Sequence, residues 1–170
     1  SCLVRPSAEA VKITQDRINE KTFLKENKFP TNRFAVISTK NDLPEALQSI
    51  GAPAILKLSR LGYDGKGQWK VHSLREAVTA FETMGSVPCV LEEMLRFKIE
   101  MSMVLARGIN GEISAYASAE NIHVNGILDA TIVPARVEKA ISDRSLKIAS
   151  AIAKKMNYHG VMAVEFFVMP

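Results

Sequence analysis

The feature that most limits how this chain can fold is the connection Gly62-Tyr63-Asp64-Gly65-Lys66-Gly67-Gln68. It sets three glycines and a lysine between two segments that read as strands, Ala54-Ile55-Leu56-Lys57-Leu58 and Trp69-Lys70-Val71-His72. Glycines let consecutive backbone N–H groups approach an anion closely, and a lysine adds positive charge. Two familiar phosphate loops are excluded by the spacing. Arg60 stands where a Walker loop needs its first glycine, and Gly67 stands where Ser or Thr should follow the lysine. Gly-x-x-Gly-x-Gly is not the Rossmann spacing, and a strand rather than a helix follows it. What remains is either a flap that covers an anion or a plain flexible hairpin tip.

Two charges stand among apolar neighbours. Lys57 lies inside Ile55-Leu56-Lys57-Leu58, and Glu165 lies inside Val161-Met162-Ala163-Val164-Glu165-Phe166-Phe167-Val168. A buried charge without a partner costs several kcal/mol, so each of them calls for one. A phosphate suits Lys57, unless its strand is at a sheet edge and the ammonium faces water. A magnesium ion suits Glu165, since one or two carboxylates hold that ion while phosphates and waters complete its octahedron; the alternative is an internal arginine or lysine. Glu92 and Glu93 end a strand, and Glu100 begins the next on the face it shares with Ser102 and Val104. Read alone, these acids are ordinary solvated side chains. Arg17 reads as a surface helix residue, His123 has no partner at metal-ligand spacing, and Met101 and Met103 read as core filling.

Along the chain, a helix is expected from Ser7 to Asn27, broken by Phe29-Pro30-Thr31, and then a strand over Phe34 to Ile37. Asn41-Asp42-Leu43-Pro44-Glu45 starts a helix that ends at Gly51. Ser73-Leu74-Arg75-Glu76 has capping-box spacing, with a helix to about Met84. Val90 to Glu93, Ile99 to Ala106 and Ile113 to Ser118 read as consecutive antiparallel strands, with a turn at Asn110-Gly111. A helix over Ser142 to Met156 places Leu146, Ala149, Ile152, Ala153 and Met156 on one face, and a strand runs from Val161 to Met169. Elements that do not alternate strictly imply an α+β fold rather than a doubly wound sheet.

With 47% apolar residues in 170, the chain has material for a core. Its 22 Lys and Arg against 18 Asp and Glu are scattered, without a basic run beside aromatics, which argues against nucleic acid as a partner. Cys2 and Cys89 show neither metal-ligand spacing nor the density of a disulfide scaffold, so two buried thiols in a reducing cytoplasm are expected. No stretch approaches the ~20 apolar residues of a membrane span. The apolar segment that stops at Pro170 reads as a strand near the middle of a domain, so the chain is expected to be an excerpt.

Taken together, Ile55-Leu56-Lys57, the loop from Gly62 to Trp69, the pair Glu92-Glu93 and Gly160-Val161-Met162-Ala163-Val164-Glu165-Phe166-Phe167 resemble the ATP-grasp superfamily. The pattern is most similar to the 5-(carboxyamino)imidazole ribonucleotide synthetases, which the Tyr63-Asp64 pair separates from biotin carboxylase and the formate-using glycinamide ribonucleotide transformylase. Asp16-Arg17 followed by Lys21, Phe23 and Pro30, and Asn121-Ile122-His123 before Gly126-Ile127-Leu128, also fit that family. The resemblance implies two lobes with antiparallel sheets and flanking helices clasping a nucleotide. Residues 1–6 would be the tail of an amino-terminal domain, 7–92 a first ATP-grasp part with the glycine-rich loop, and 93–170 a second lobe, incomplete at its carboxyl end.

The same resemblance implies roles. Arg17, Lys57 and Lys66 would contact the ATP phosphates under the mobile loop Gly62, Tyr63, Asp64, Gly65, Lys66, Gly67 and Gln68, with Lys57 and Lys66 catalytic. Glu92, Glu93, Met94 and Leu95 would form the hinge that recognises adenine, Glu100 would hold the ribose, His123 would lie near the nucleotide, and Tyr63 would reach the ribonucleotide. Glu165 would be the first magnesium carboxylate of a two-ion site. The implied reaction carboxylates aminoimidazole ribonucleotide with bicarbonate through carboxyphosphate, in a homodimer when intact, with the excerpt by itself inactive. A different ATP-grasp ligase or carboxylase, or a non-catalytic nucleotide-binding module, stands as the alternative.

Overall fold

The computed structural model describes residues 4–62, 67–124 and 126–170. They form two compact units, Lys12–Leu95 and the described part of Ser1–Val11 with Arg96–Pro170. The first helix expected from the sequence is in fact two, α1 (Ala8–Thr14) and α2 (Arg17–Glu26). Asp16 makes the break. Its backbone is extended, and its carboxylate accepts hydrogen bonds from the N–H groups of Ile18 and Asn19, which starts α2 afresh.

The same carboxylate accepts from Ser59 Oγ at 2.6 Å and Arg60 Nε at 3.0 Å, while the Arg17 N–H donates to the Ser59 carbonyl at 2.8 Å. Helix α2 is thereby tied to a segment more than forty residues further along the chain. Burial alone would raise the Asp16 carboxyl, but the bonds from Ser59, Asn19, Ile18 and Arg60 outweigh it and hold it below the usual carboxylate range. Asp16→Ala is expected to cost about 1–2 kcal/mol, read as a lower urea midpoint near neutral pH. Because the folded value is depressed, the carboxylate's contribution is present above its unfolded value and is lost as pH falls through the folded one. The difference between wild type and variant should therefore shrink in acid, and a midpoint difference independent of pH would remove the ionised carboxylate from this role.

The sheet of this unit has strands β1 (Phe34–Ile37), β2 (Ala54–Leu58), β3 (Gln68–Val71) and β4 (Cys89–Glu93) in the order β1-β4-β2-β3, all antiparallel. Helices α3 (Leu43–Ile50) and α4 (Leu74–Thr83) supply Leu43, Ile50, Ala77 and Phe81 to a core with Ile37, Leu56, Val71 and Leu91. Gly51 ends α3 as expected, at φ +91°. At the start of α4, Ser73 Oγ accepts from the Glu76 N–H at 3.2 Å, but Glu76 reaches back to the N–H of His72 rather than of Ser73. Strand β2 lies between β4 and β3, so Lys57 is not on an edge strand. Gly67 closes the turn into β3 at φ +76°, where a Cβ would come within 2.7 Å of Leu58 Cδ1. Tyr63, Asp64, Gly65 and Lys66 lie outside the described residues.

In the other unit, β9 (Gly160–Val168) pairs along the whole of β5 (Ile99–Arg107). On the opposite edge of β5 run β6 (Ile113–Ala115) and β7 (Ala119–Val124), and β8 (Ile127–Ile132) pairs with β7. The strand expected to reach Ser118 stops at Ala115. The pairing shifts by one residue across the gap, from Ala115 opposite Leu105 to Ala119 opposite Ser102, as in a bulge. The interruption frees the Ser118 carbonyl to accept from the Ala135 N–H at 2.7 Å and puts its hydroxyl 3.0 Å from that of Ser142.

Helix α5 (Lys139–Lys155) begins three residues before the expected Ser142 and packs Ala149 and Ala153 against Met103, Leu105, Met162, Val164 and Phe166. Leu146, expected on that face, is exposed, and the buried position beside it is taken by Ser145, whose hydroxyl donates to the Ile141 carbonyl. Met101 and Met103 are core filling, and Cys89 is a buried thiol that burial pushes up to about 11. Cys2 lies outside the described residues.

Candidate functional site

Strand alternation sends Leu56 and Leu91 into the core and leaves Ile55, Lys57, Val90 and Glu92 on the other face of the first sheet. There Lys57 Nζ lies 3.0 Å from Glu92 Oε2. Lys21, from α2, puts its ammonium 3.4 Å from the same oxygen, and Asn32 Nδ2 donates to it at 3.1 Å and to the Glu93 carbonyl at 3.2 Å. The Lys21 ammonium also donates to Asn32 Oδ1 and, at 3.3 Å, to Thr31 Oγ1. The Glu92 side chain is only 4% exposed, so the solvated acid read from the sequence is a buried counter-ion. The partner of Lys57 within the protein is thus a carboxylate.

Burial by itself would raise the Glu92 carboxyl, but the Lys57 and Lys21 charges and the hydrogen bonds from Lys57 and Asn32 outweigh it and hold it below its usual value. The Lys21 amine is pushed down by burial and by Lys57, against the pull of Glu92. Burial raises the neighbouring Glu20 carboxyl, although Arg17 and Lys21 oppose that. All the donors to Glu92 converge on Oε2. Oε1 is buried and has no hydrogen-bond partner among the described residues. Gln68, directly opposite Lys57 on β3, shares the face.

Glu93 points the other way. Its carboxylate takes a forked pair of bonds from Arg33, at 3.2 Å from Nε and 3.1 Å from Nη2, and Arg33 also caps the carbonyls of Ser49 and Ile50 at the end of α3. Of the two adjacent acids, the structure therefore brings only Glu92 to Lys57. Met94 and Leu95 follow β4 half-buried, and Gly62 is exposed.

The second unit carries a polar row on the sheet face opposite α5. His123 Nδ1 lies 3.2 Å from Glu100 Oε2. Asn121 donates to Ser102 Oγ at 2.5 Å and accepts from Thr131 Oγ1 at 3.3 Å. Glu165 is directly opposite Ser102 on β9 and so belongs to this row. The sequence reading of Glu165 as a carboxylate hemmed in by apolar neighbours is overturned. Val164 and Phe166 turn toward α5, and Glu165 is exposed on the opposite face. Among the described residues no arginine or lysine pairs with it. Phe167, also on that face, stacks on Phe97 with ring centres 4.4 Å apart.

Several residues that build these clusters carried no role in the sequence reading. Lys21 follows Arg17 by four positions, which sets both on one face of α2, so helical spacing could have singled it out. Asn32 gave no such signal, because it lies outside the helices and its carboxylate partner Glu92 is sixty residues away. Outside these clusters, Glu120 also carried no role, although its buried carboxylate takes two bonds from the Arg136 side chain and one from its backbone N–H.

Residues 22–170 match the ATP-grasp domain family. The chain belongs to that family. It is 40% identical over 160 residues to the N5-carboxyaminoimidazole ribonucleotide synthase of Bacillus subtilis strain 168, a match that takes in 94% of this chain and 42% of that one. The N5-carboxyaminoimidazole ribonucleotide synthetase of Thermus thermophilus shares the fold with a TM-score of 0.89 at 34% identity, over 97% of this chain and 44% of that one. The Staphylococcus aureus N5-carboxyaminoimidazole synthetase complexed with ADP gives 0.88 at 33%, over 95% and 43%. The ATP-grasp chain described here thus spans less than half the length of these relatives. It has the ATP-grasp fold, two antiparallel sheets with flanking helices.

Proposed function

We propose that this ATP-grasp chain supplies most of the Mg-ATP site of an enzyme that carboxylates 5-aminoimidazole ribonucleotide with bicarbonate. The observation that carries the reading is the Lys57, Lys21 and Glu92 cluster, in which two ammoniums share one carboxylate and the second carboxylate oxygen is buried without a donor among the described residues. Such a cluster has a surplus of positive charge suited to phosphates, and its buried unpaired oxygen is an acceptor left without a donor. The product named for the relatives, and the ADP held by the Staphylococcus aureus structure, point to the same chemistry.

In this reading Arg17, Lys57 and Lys66 hold the phosphates, and Gly62 to Gln68 close over them and keep water out. Glu92 to Leu95 take the adenine, Glu100 the ribose, His123 lies beside the nucleotide, and Tyr63 reaches the ribonucleotide. Glu165 suits magnesium, since an exposed carboxylate beside a polar row can join an octahedron otherwise made of phosphate oxygens and water. A bound magnesium ion would offset phosphate charge, and the lysines do the same from the protein side. A second magnesium ion, a homodimer and a cytoplasmic setting belong to the same reading. Among the described residues no helix is long and apolar enough to cross a membrane.

The test is ADP release by the full-length protein with Mg-ATP, bicarbonate and a panel of acceptors. ADP release that depends on aminoimidazole ribonucleotide is expected. Equal release with a different acceptor would move the chain to another ATP-grasp activity.

A further inference from the structure

We propose that Lys21 is a positioning residue that keeps Glu92 neutralised so that Lys57 can leave it for the phosphates of a bound nucleotide. This rests on the nucleotide reading given above. Among the described residues, the Lys57 ammonium bonds to Glu92 alone. Lys21 is held differently, because Asn32 and Thr31 also accept from it, and Asn32 in turn donates to Glu92. The Glu92, Asn32 and Lys21 side chains thus form a closed set that persists when Lys57 moves away.

The charge count points the same way. Two ammoniums against one carboxylate leave the trio at +1, so an arriving phosphate meets a cation that its counter-ion has not cancelled. Without Lys21 the trio would be neutral. Transfer of Lys57 to a phosphate would then strand a carboxylate that is 4% exposed, a state that buried ion pairs resist strongly. Glu20 and Arg17, the other charged groups that this site feels from α2, oppose one another in sign. Neither makes a bond to Glu92 that would replace Lys21.

The experiment is calorimetric titration of wild type, Lys21→Met, Lys21→Arg, Glu92→Gln and the Lys21→Met, Glu92→Gln double variant with Mg-ADP and, separately, with adenosine. Lys21→Met should weaken Mg-ADP by roughly tenfold or more, as a coupling carried through one shared group. It should leave adenosine, which has no phosphate, within about twofold, and Lys21→Arg should recover most of the loss. With Glu92 made neutral there is no carboxylate to hold Lys57 back, so the Lys21 effect should largely vanish in the double variant. An unchanged Mg-ADP affinity in Lys21→Met, an equal loss for adenosine, or a full Lys21 effect in the Glu92→Gln background would each overturn the proposal. If wild type binds neither ligand, the nucleotide reading falls and the proposal with it, whereas wild-type binding without a Lys21 effect sinks the proposal alone.

Discussion

On the proposed function, Lys57→Ala is expected to lower turnover of the full-length protein by roughly a hundred- to a thousandfold, the loss of about 2.7–4 kcal/mol typical of removing one preorganised electrostatic donor. The size follows from where the ammonium sits. Its strand is internal, and its side chain is only 18% exposed, so water cannot easily take its place. Nor can Lys21 substitute, since Asn32 and Thr31 hold it. Phosphoryl transfer depends on cations that offset charge spreading over the phosphate oxygens, so the defect should appear in kcat. Folding should suffer much less, because Glu92 keeps Lys21 and Asn32 when Lys57 is gone. A kcat within a few-fold of wild type in a folded variant would take Lys57 out of the site.

Glu92→Leu does the opposite, and its effect falls on stability. Among the described residues it removes the one carboxylate in ion-pair contact with both Lys21 and Lys57, leaving two like charges with 13% and 18% exposure and only the more distant Glu20 to oppose them. Breaking a buried pair from one side costs about 3–5 kcal/mol, and the residual exposure of both ammoniums places this variant near the low end of that range. Urea unfolding near neutral pH measures it. Since the folded carboxyl of Glu92 lies below its unfolded value, its contribution is present above the ordinary glutamate range and fades as pH falls through the folded value. Wild type should therefore lose stability in acid faster than Glu92→Leu does. Equal midpoints near neutral pH would mean that the lysines find water or another partner as good as Glu92.

What could be read before the fold was known was whatever local chemistry writes into a short stretch. The strands Phe34–Ile37 and Ala54–Leu58, the helix ended by Gly51 and the serine cap of α4 all stand, because each depends on neighbours within a few residues. The break between α1 and α2 is not legible in the sequence although Asp16 is a good capping residue, since Ser59 and Arg60 also hold that aspartate in place. The gap at Tyr116–Ser118 is likewise set by Ala135 and α5.

The site divides along the same line. Its residue types, a lysine within an apolar strand, a glycine-rich turn and strand-end acids, were legible because an unpaired charge or a run of glycines is conspicuous in one dimension. Which charge is buried was not. Glu165 has apolar neighbours in sequence and is exposed, because a strand sends successive side chains to opposite faces; Glu92 stands at the end of a strand and is buried, because α2 packs over it. By itself, then, the sequence determined the family and the chemical types at the site. Only the tertiary structure decided that Glu92 and not Glu93 meets Lys57, and that Lys21 and Asn32 join them, because those contacts cross tens of residues and depend on which face of the sheet each side chain occupies.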